Sequence, residues 1–257
     1  MKPKLIATGA EAVISLINNH IHKNRIKKSY RFPDLDLKLR KRRTKAEAKI
    51  INKLSNIIPV PKIINSNDKE NIIMEFIDGK KLSENLENLD YKTICKQIAE
   101  NISKIHNQDI IHGDLTTSNM IYVENDLNKN ISNLQTEDSN KPDSENSSAI
   151  DTKNNLKSNK QPSQAKTTPT SRTNYKDTNS NKKNNKVYFI DFGLAFHSHK
   201  IEDKAVDLHL LKQALEAKHF KIAEQAIKII INNYKAKQYK DILERINIIE
   251  KRGRYKG

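Results

Sequence analysis

Two short polar stretches stand 77 residues apart, and most of what separates them has no capacity to fold. The first, Ile110-Ile111-His112-Gly113-Asp114-Leu115-Thr116-Thr117-Ser118-Asn119, sets an acid and a carboxamide five residues apart in a run too polar for a buried strand. The second, Asp191-Phe192-Gly193, follows directly on the apolar run Val187-Tyr188-Phe189-Ile190. Of the 60 residues at 126–185, 13 are Asn, 9 Ser, 9 Lys and 7 Thr, while only 8 are Leu, Ile, Ala or Tyr. Such a segment buries too little apolar surface to offset its ordering entropy, and the expectation is a disordered low-complexity insertion. Loop closure penalises length only weakly, so a hairpin tip between Tyr122-Val123 and Val187 can carry it. Without it, Asp114 and Asp191 stand 17 residues apart, the reach of a short hairpin.

The residue types in these stretches suit phosphoryl transfer. An Asp that accepts a hydroxyl proton, an Asn and a second Asp are the parts needed beside a nucleotide and its metal ions. Magnesium takes hard oxygen ligands from one or two side chains and fills its other positions with phosphate oxygens and water. Asn119 and Asp191 can supply those oxygens, with Asp114 as the acid/base.

The chain of 257 residues is long enough for one large domain or two small lobes with a real core. Its formal charge of +16 favours a polyanionic partner, nucleic acid before membrane, or reflects a merely soluble basic surface. The single cysteine, Cys95, excludes an internal disulfide framework and fits a reducing compartment. No apolar run approaches the roughly 20 residues of a membrane span, so the expectation is a cytoplasmic protein, with the nucleus also open in a eukaryote.

Residues 3–28 alternate apolar and polar, with turns near Gly9-Ala10 and Asn18-Asn19, and read as three short antiparallel strands. One glycine is little for a loop that lets backbone N–H groups approach phosphates. Lys23 lies on the third strand and can neutralise phosphates if an acid holds it; Lys27 and Lys28 are rivals for that role. Charge concentrates at 34–43, where Lys38, Arg40, Lys41, Arg42 and Arg43 form either a solvated face or a site for nucleic-acid phosphates. A helix is expected after this cluster, with Ala46, Ile50, Ile51 and Leu54 on one face and Glu47 beside it, in reach of Lys23. Two more strands fit Ile63-Ile64 and Ile72–Phe76, and the backbone of Glu75 to Ile77 is a natural partner for an adenine edge. A helix over 91–107 carries Ile94, Cys95, Ile98, Ile102 and Ile105 at helical spacing, which puts Cys95 in the core. His106 and His112 are expected to be structural. Helices from 202, over 218–234 and over 238–250 complete the chain before the basic tail Lys251-Arg252-Gly253-Arg254-Tyr255-Lys256-Gly257.

Six segments in order carry a family resemblance: Gly9-Ala10-Glu11-Ala12, Lys28 to Asp36, Ile111 to Asn119, Asp191 to Ala195, Glu202 to Leu208, and the Lys251–Tyr255 tail. With them the chain resembles the protein-kinase superfamily and, more narrowly, the small atypical kinase/ATPase subunits of the KEOPS (EKC) complex, relatives of the RIO kinases. The resemblance implies an α+β bilobal kinase-like fold, with a small antiparallel-β N-lobe bearing one main helix and a mostly helical C-lobe. It divides the chain into an ATP-binding N-lobe at 1–76, C-lobe parts at 77–125 and 186–250, the insertion at 126–185 and the tail at 251–257.

The same resemblance implies ATP and Mg2+ as cofactors. Lys23 would hold the phosphates, Glu47 would fix Lys23, Asp114 would be the catalytic acid/base, and Asn119 and Asp191 the metal ligands. Gly9, Ala10, Glu75 and Ile77 would contact the nucleotide, and Asp207 would brace the catalytic loop. It further implies serine/threonine kinase or ATPase activity in support of threonylcarbamoyladenosine formation in tRNA. The implied partners are a TsaD-like threonylcarbamoyltransferase, small adaptor subunits, and tRNA held by the 38–43 cluster and by Lys251, Arg252, Arg254 and Lys256. Two features depart from ordinary protein kinases: Gly113 stands where an arginine is usual, and no Ala-Pro-Glu anchor follows the short stretch after Asp191. The alternatives are a tRNA- and partner-binding scaffold with a vestigial ATP site, and a small-molecule kinase of the aminoglycoside or choline type, which shares a His-Gly-Asp loop.

Overall fold

The computed structural model describes residues 3–67, 69–124 and 185–253. The insertion expected at 126–185 lies outside the described residues except for Asn185, as do Arg254 and Lys256 of the tail. Asn185 donates from Nδ2 to the Tyr122 hydroxyl at 2.7 Å, so it belongs with the hairpin.

The N-terminal alternation folds as expected into β1 (Lys4–Thr8), β2 (Ala12–Ile17) and β3 (His20–Arg25). Asn18 and Asn19, both with positive φ, make the tight turn between β2 and β3, a conformation that Asn tolerates. Strands β4 (Ile63–Ser66) and β5 (Asn71–Glu75) complete an antiparallel sheet in the order β1-β2-β3-β5-β4. In β3 the period of two puts Lys23 and Arg25 on one face, and both are buried.

That face meets α1 (Pro33–Leu54), a helix eleven residues longer at its start than the sequence suggests. The basic cluster at 34–43 is inside the helix, not ahead of it. Pro33 occupies a first-turn position, where a missing N–H costs nothing, and Asp34 and Asp36 favour the positive end of the helix dipole. Asp36 is fully buried and accepts from the Lys28 amide at 3.2 Å and from Arg40 Nε at 2.7 Å. Burial raises the pKa of its carboxyl, but Arg40, the Lys28 N–H and Arg31 outweigh that and hold it below the usual range. Ala48, not Ala46, lies on the buried face of α1. Ala48 packs with Ile72 and Met74 under the sheet, while Ile50, Ile51 and Leu54 join the large core of the other lobe. One rigid helix is thereby anchored in both cores.

Strand β6 (Lys80–Lys81) and the short α2 (Leu82–Asn85) lead to α3 (Tyr91–Asn107), capped by Asp90, whose carboxylate accepts the Thr93 N–H at 3.3 Å. Ile94, Cys95, Ile98, Ile102 and Ile105 of α3 are buried as their spacing predicts. Burial pushes the Cys95 thiol up to about 12, so it is inert and not a nucleophile. Strand β7 (Ile110–Ile111) then opens the Asp114 loop. Strands β8 (Met120–Val123) and β9 (Lys186–Phe189) pair antiparallel as a hairpin, with β6 on its edge.

After Asp191 the chain returns at once: β10 (Phe196–His197) pairs antiparallel with β7, and α4 (Ile201–Lys218) follows. Helices α5 (Ala223–Asn233) and α6 (Tyr239–Gly253) close the lobe. The helix expected over 218–234 is shorter, because α4 runs to Lys218 and the His219–Ile222 turn separates it from α5. The architecture is α+β and bilobal. Among the described residues no helix is long and apolar enough to cross a membrane.

Candidate active site

The site forms where β3, α1 and the two polar stretches converge. Lys23 Nζ donates to Glu47 Oε1 at 2.6 Å and to Asp191 Oδ1 at 2.7 Å, joining three residues from three elements. Lys27 and Lys28 do not take this place: Lys27 is exposed, and Lys28 Nζ bonds the Ala10 carbonyl. Glu47 reaches Lys23 because it shares a helical stripe with Thr44, Ile51 and Leu54, the face α1 turns inward. Burial alone would lower the Lys23 pKa, but Glu47 and Asp191 more than offset it, and Lys23 stays charged. Burial likewise raises Asp191, and Lys23 and the Gly193 N–H overcome it, so Asp191 is held ionised below its ordinary value.

The second half of the site is the 112–119 loop. Asn119 Nδ2 donates to the Asp114 carbonyl and to Asp114 Oδ2, each at 2.9 Å, so the two side chains act as a unit. The Ile190 N–H donates to the Asn119 carbonyl at 3.0 Å, which ties this loop to the Asp191 turn. Asp207, buried on α4, accepts the His112 N–H at 2.7 Å and the Gly113 N–H at 2.9 Å. It braces the loop as the resemblance implies.

His112 is the inner hinge of the loop. Its Nε2 lies 3.2 Å from the Ile190 carbonyl, its Nδ1 is 3.3 Å from the Asp114 N–H, and its ring packs on Phe192 at 4.7 Å. One nitrogen facing a carbonyl and the other an N–H fits the neutral ring with its proton on Nε2. Burial lowers the His112 pKa, and the neighbouring carboxylates only partly compensate. The unfolded chain therefore binds a proton that the folded chain refuses, and stability is lost as pH falls below about 6.5, the ordinary value. Denaturant titrations should show an acid limb there of at most about 1.4 kcal/mol per pH unit for each such histidine, His219 being a second whose pKa burial lowers, and the limb should be reduced in His112→Gln. An unchanged limb in that variant would assign the loss to other groups.

The positions expected to contact a nucleotide are placed as follows. Gly9 and Ala10 form the exposed turn between β1 and β2, with the Gly9 N–H on the Ala12 carbonyl at 2.9 Å. Gly9 lacks positive φ, and a Cβ there would lie 3.6 Å from the Ala12 carbonyl oxygen, an ordinary contact. Glu11, in the same turn, is bound by Arg43 at 2.6 Å and by Arg31 at 3.6 Å, an anchoring that the sequence reading missed. Glu75 ends β5, paired with His20, and its N–H is taken by the Lys62 carbonyl at 2.9 Å. Ile77 is buried just beyond the sheet.

An oxygen-rich donor set remains for a divalent cation. Both contacts of Asp191 go to Oδ1, its side chain is 42% exposed, and Asn119 uses its nitrogen on Asp114, leaving Oδ1. Among the described residues no three His, Cys, Asp or Glu converge on one point. Two protein oxygens with phosphate and water completing the shell fit magnesium, and do not fit a closed zinc or calcium cage.

Gly113 has φ of +77°, and a Cβ there would lie 2.6 Å from the Leu194 carbonyl oxygen. No side chain fits at this crossing of the two loops. The Ser198 N–H continues the β7–β10 pairing onto the Asp109 carbonyl at 2.9 Å, so the stretch after Asp191 is a short strand bound to the loop. Of the basic cluster, Arg40 is committed to Asp36 and Glu70 and Arg43 to Glu11, whereas Lys38, Lys41 and Arg42 are exposed. Lys251 and Arg252 are exposed at the end of α6, Arg252 3.8 Å from Glu202.

Comparison with known proteins gives the family and the fold. The RIO-domain family model matches residues 18–157. The chain is 35% identical to "KEOPS complex subunit Bud32" of Pyrococcus abyssi, over 98% of this chain and 96% of that protein. It is 29% identical to "EKC/KEOPS complex subunit BUD32" of Encephalitozoon cuniculi over 96% and 93% of the two chains. A third relative, "Probable bifunctional tRNA threonylcarbamoyladenosine biosynthesis protein" of Methanobrevibacter smithii, is 34% identical, but the match covers 98% of this chain and 36% of that one. Among solved structures, the Rio2 kinase of Chaetomium thermophilum in an ADP/Mg2+-phosphoaspartate complex aligns at TM-score 0.52 and 13% identity, over 96% of this chain and 70% of that one.

Proposed function

Since this chain belongs to the RIO-domain family, in the branch of the Bud32 subunits of KEOPS, we propose that it is a Mg-ATP-dependent phosphotransferase supporting threonylcarbamoyladenosine formation in tRNA. The observation that carries this is the Lys23 ammonium bridging Glu47 and Asp191 beside the joined Asp114–Asn119 pair. In this reading the adenine edge meets the Glu75 carbonyl and the Ile77 N–H, and the β1–β2 turn at Gly9 and Ala10 covers the phosphates. Lys23 neutralises phosphate oxygens, and Glu47 holds it in place. Asn119 Oδ1 and the Asp191 carboxylate would hold magnesium, which would supply positive charge against the nucleotide phosphates. Asp114, oriented by Asn119, accepts the proton of the attacking hydroxyl. With the stretch after Asp191 paired to β7, there is little platform for a peptide, which favours water or a hydroxyl of the protein itself as acceptor. The activity is therefore ATPase or self-phosphorylating serine/threonine kinase.

The names of the relatives point to partner subunits, here a TsaD-like threonylcarbamoyltransferase and small adaptors. The exposed Lys38, Lys41 and Arg42, with Lys251, Arg252, Arg254 and Lys256, supply phosphate contacts for tRNA. ATP hydrolysis should be measured with transferase and tRNA both present and with each omitted; turnover that rises only with the partners supports the reading. tRNA binding should weaken steeply with salt, and charge reversal at Lys38, Lys41 and Arg42 should flatten the slope by about one unit per lost contact. Full tRNA modification without ATP turnover, as in an inactive Asp114→Ala variant, would instead identify a scaffold with a vestigial site.

A further inference from the structure

The mechanism above leaves a buried charge beside Lys23 without a task. Arg25 is 5% exposed, two residues from Lys23 on the same face of β3, and its Nη2 donates to Glu47 Oε2 at 2.5 Å. Its Nε is buried and has no hydrogen-bond partner among the described residues. An orphaned donor costs about 1–3 kcal/mol, and a residue kept only for packing would not need a guanidinium here. Glu47 is 1% exposed, and its two oxygens are divided, Oε1 to Lys23 and Oε2 to Arg25. A Cβ built on Gly193, in the Asp191 turn, would lie 3.2 Å from Lys23 Nζ and 3.6 Å from Arg25 Nη2, so both cations face the turn that carries Asp191. The groups around this point are thus two cations, Lys23 and Arg25, and two anions, Glu47 and Asp191.

We propose that Arg25 is a positioning residue that shares Glu47 with Lys23, keeps this quartet of charges electrically neutral, and so leaves the Lys23 ammonium available to nucleotide phosphates. The proposal rests on reading the cleft as a nucleotide site. Without Arg25, Glu47 would have a single cationic partner and would draw Lys23 more strongly, while the quartet would carry a net charge of −1. In a low-dielectric site an added negative charge repels a polyphosphate and attracts a divalent cation. Arg25 also holds Glu47, and through it α1, whether or not Lys23 is engaged elsewhere. That is an internal means of keeping the helix in place without a phosphorylated loop.

The test separates these opposite effects. Binding of ATP without metal, and of Mg2+ to the nucleotide complex, should be measured by titration for wild type, Arg25→Met, Arg25→Gln and Arg25→Lys. The expected result is an affinity for metal-free ATP at least tenfold weaker in the Met and Gln variants, an affinity for Mg2+ that is not weakened, and recovery of ATP binding in Arg25→Lys to within about threefold of wild type. Two neutral variants are used so that misfolding of one does not decide the outcome. Parallel loss of both affinities, or equal loss in the Lys and neutral variants, would show a packing role and overturn the proposal. Unchanged ATP binding in the neutral variants would overturn it as well. Wild type binding no ATP in either form would instead overturn the nucleotide-site reading itself.

Discussion

Asp191→Asn is expected to lower ATP turnover by at least about a hundredfold while the protein stays folded. Asparagine is the informative replacement because Asp191 has φ of +61°, a left-handed conformation that Asn tolerates and Ala does not. An alanine would mix backbone strain with loss of the carboxylate. The carboxylate is the anion that meets Lys23 across from Glu47, and its neutralisation removes the charge a divalent cation requires. Lys23 retains Glu47 as a partner at 2.6 Å, so the buried ammonium is not stranded. Turnover measured beside a thermal melt gives the answer, and a variant that hydrolyses ATP at the wild-type rate would remove Asp191 from the site.

Gly113→Arg should be the most damaging change outside the charged groups. It restores the arginine usual in protein kinases but asks for a side chain at φ of +77°, where a Cβ would meet the Leu194 carbonyl oxygen at 2.6 Å. Left-handed backbone costs an L-residue roughly 1–2 kcal/mol, and forcing apart two packed segments adds about 1–3 kcal/mol. The sum corresponds to a fall in Tm on the order of 10 °C. The clash also pushes the post-Asp191 stretch away from the loop that Asp207 braces, so turnover should fall with stability. Gly113→Ala tests the same point with one carbon. If the arginine variant melts and turns over like wild type, the crossing of the two loops is looser than the structure shows.

The stretch after Asp191 is held close against the catalytic-type loop. Regulated kinases order a long loop against an arginine beside the catalytic Asp; here a glycine permits direct contact, and β10 is already paired with β7. The helix bearing Glu47 is held by Ile50, Ile51 and Leu54 in the large core and by Ala48 under the sheet. Nothing in this arrangement waits for a switch.

Much of this was legible in the residues. The Asn18-Asn19 turn, the isoleucine stripe of 91–107 and the alternation of β3 follow from local chemistry and periods of 3.6 and 2. Asp114 and Asn119 are joined within one turn of chain, and their partnership needs no distant information. The start of α1 is hidden by the charge at 34–43, which masks a stripe of Asp36, Arg40, Thr44 and Glu47; Asp36, Thr44 and Glu47 are buried there because each has a hydrogen-bond partner. Arg25 was open to the same reasoning as Lys23, since a period of two puts it on the same face. No signal in sequence separates a buried strand arginine from a solvated one.

Alone, the sequence determined which residues are proposed to do chemistry and where a polar segment interrupts them, because composition, spacing and local period carry that information. Only the tertiary structure decided which charges meet: Lys23 with Glu47 and Asp191, Arg25 with Glu47, Arg43 with Glu11, Asp207 with the backbone of the 112–114 loop. Those pairs lie 22 to 168 residues apart, and their energy depends on distance and desolvation, which exist only after the chain has packed.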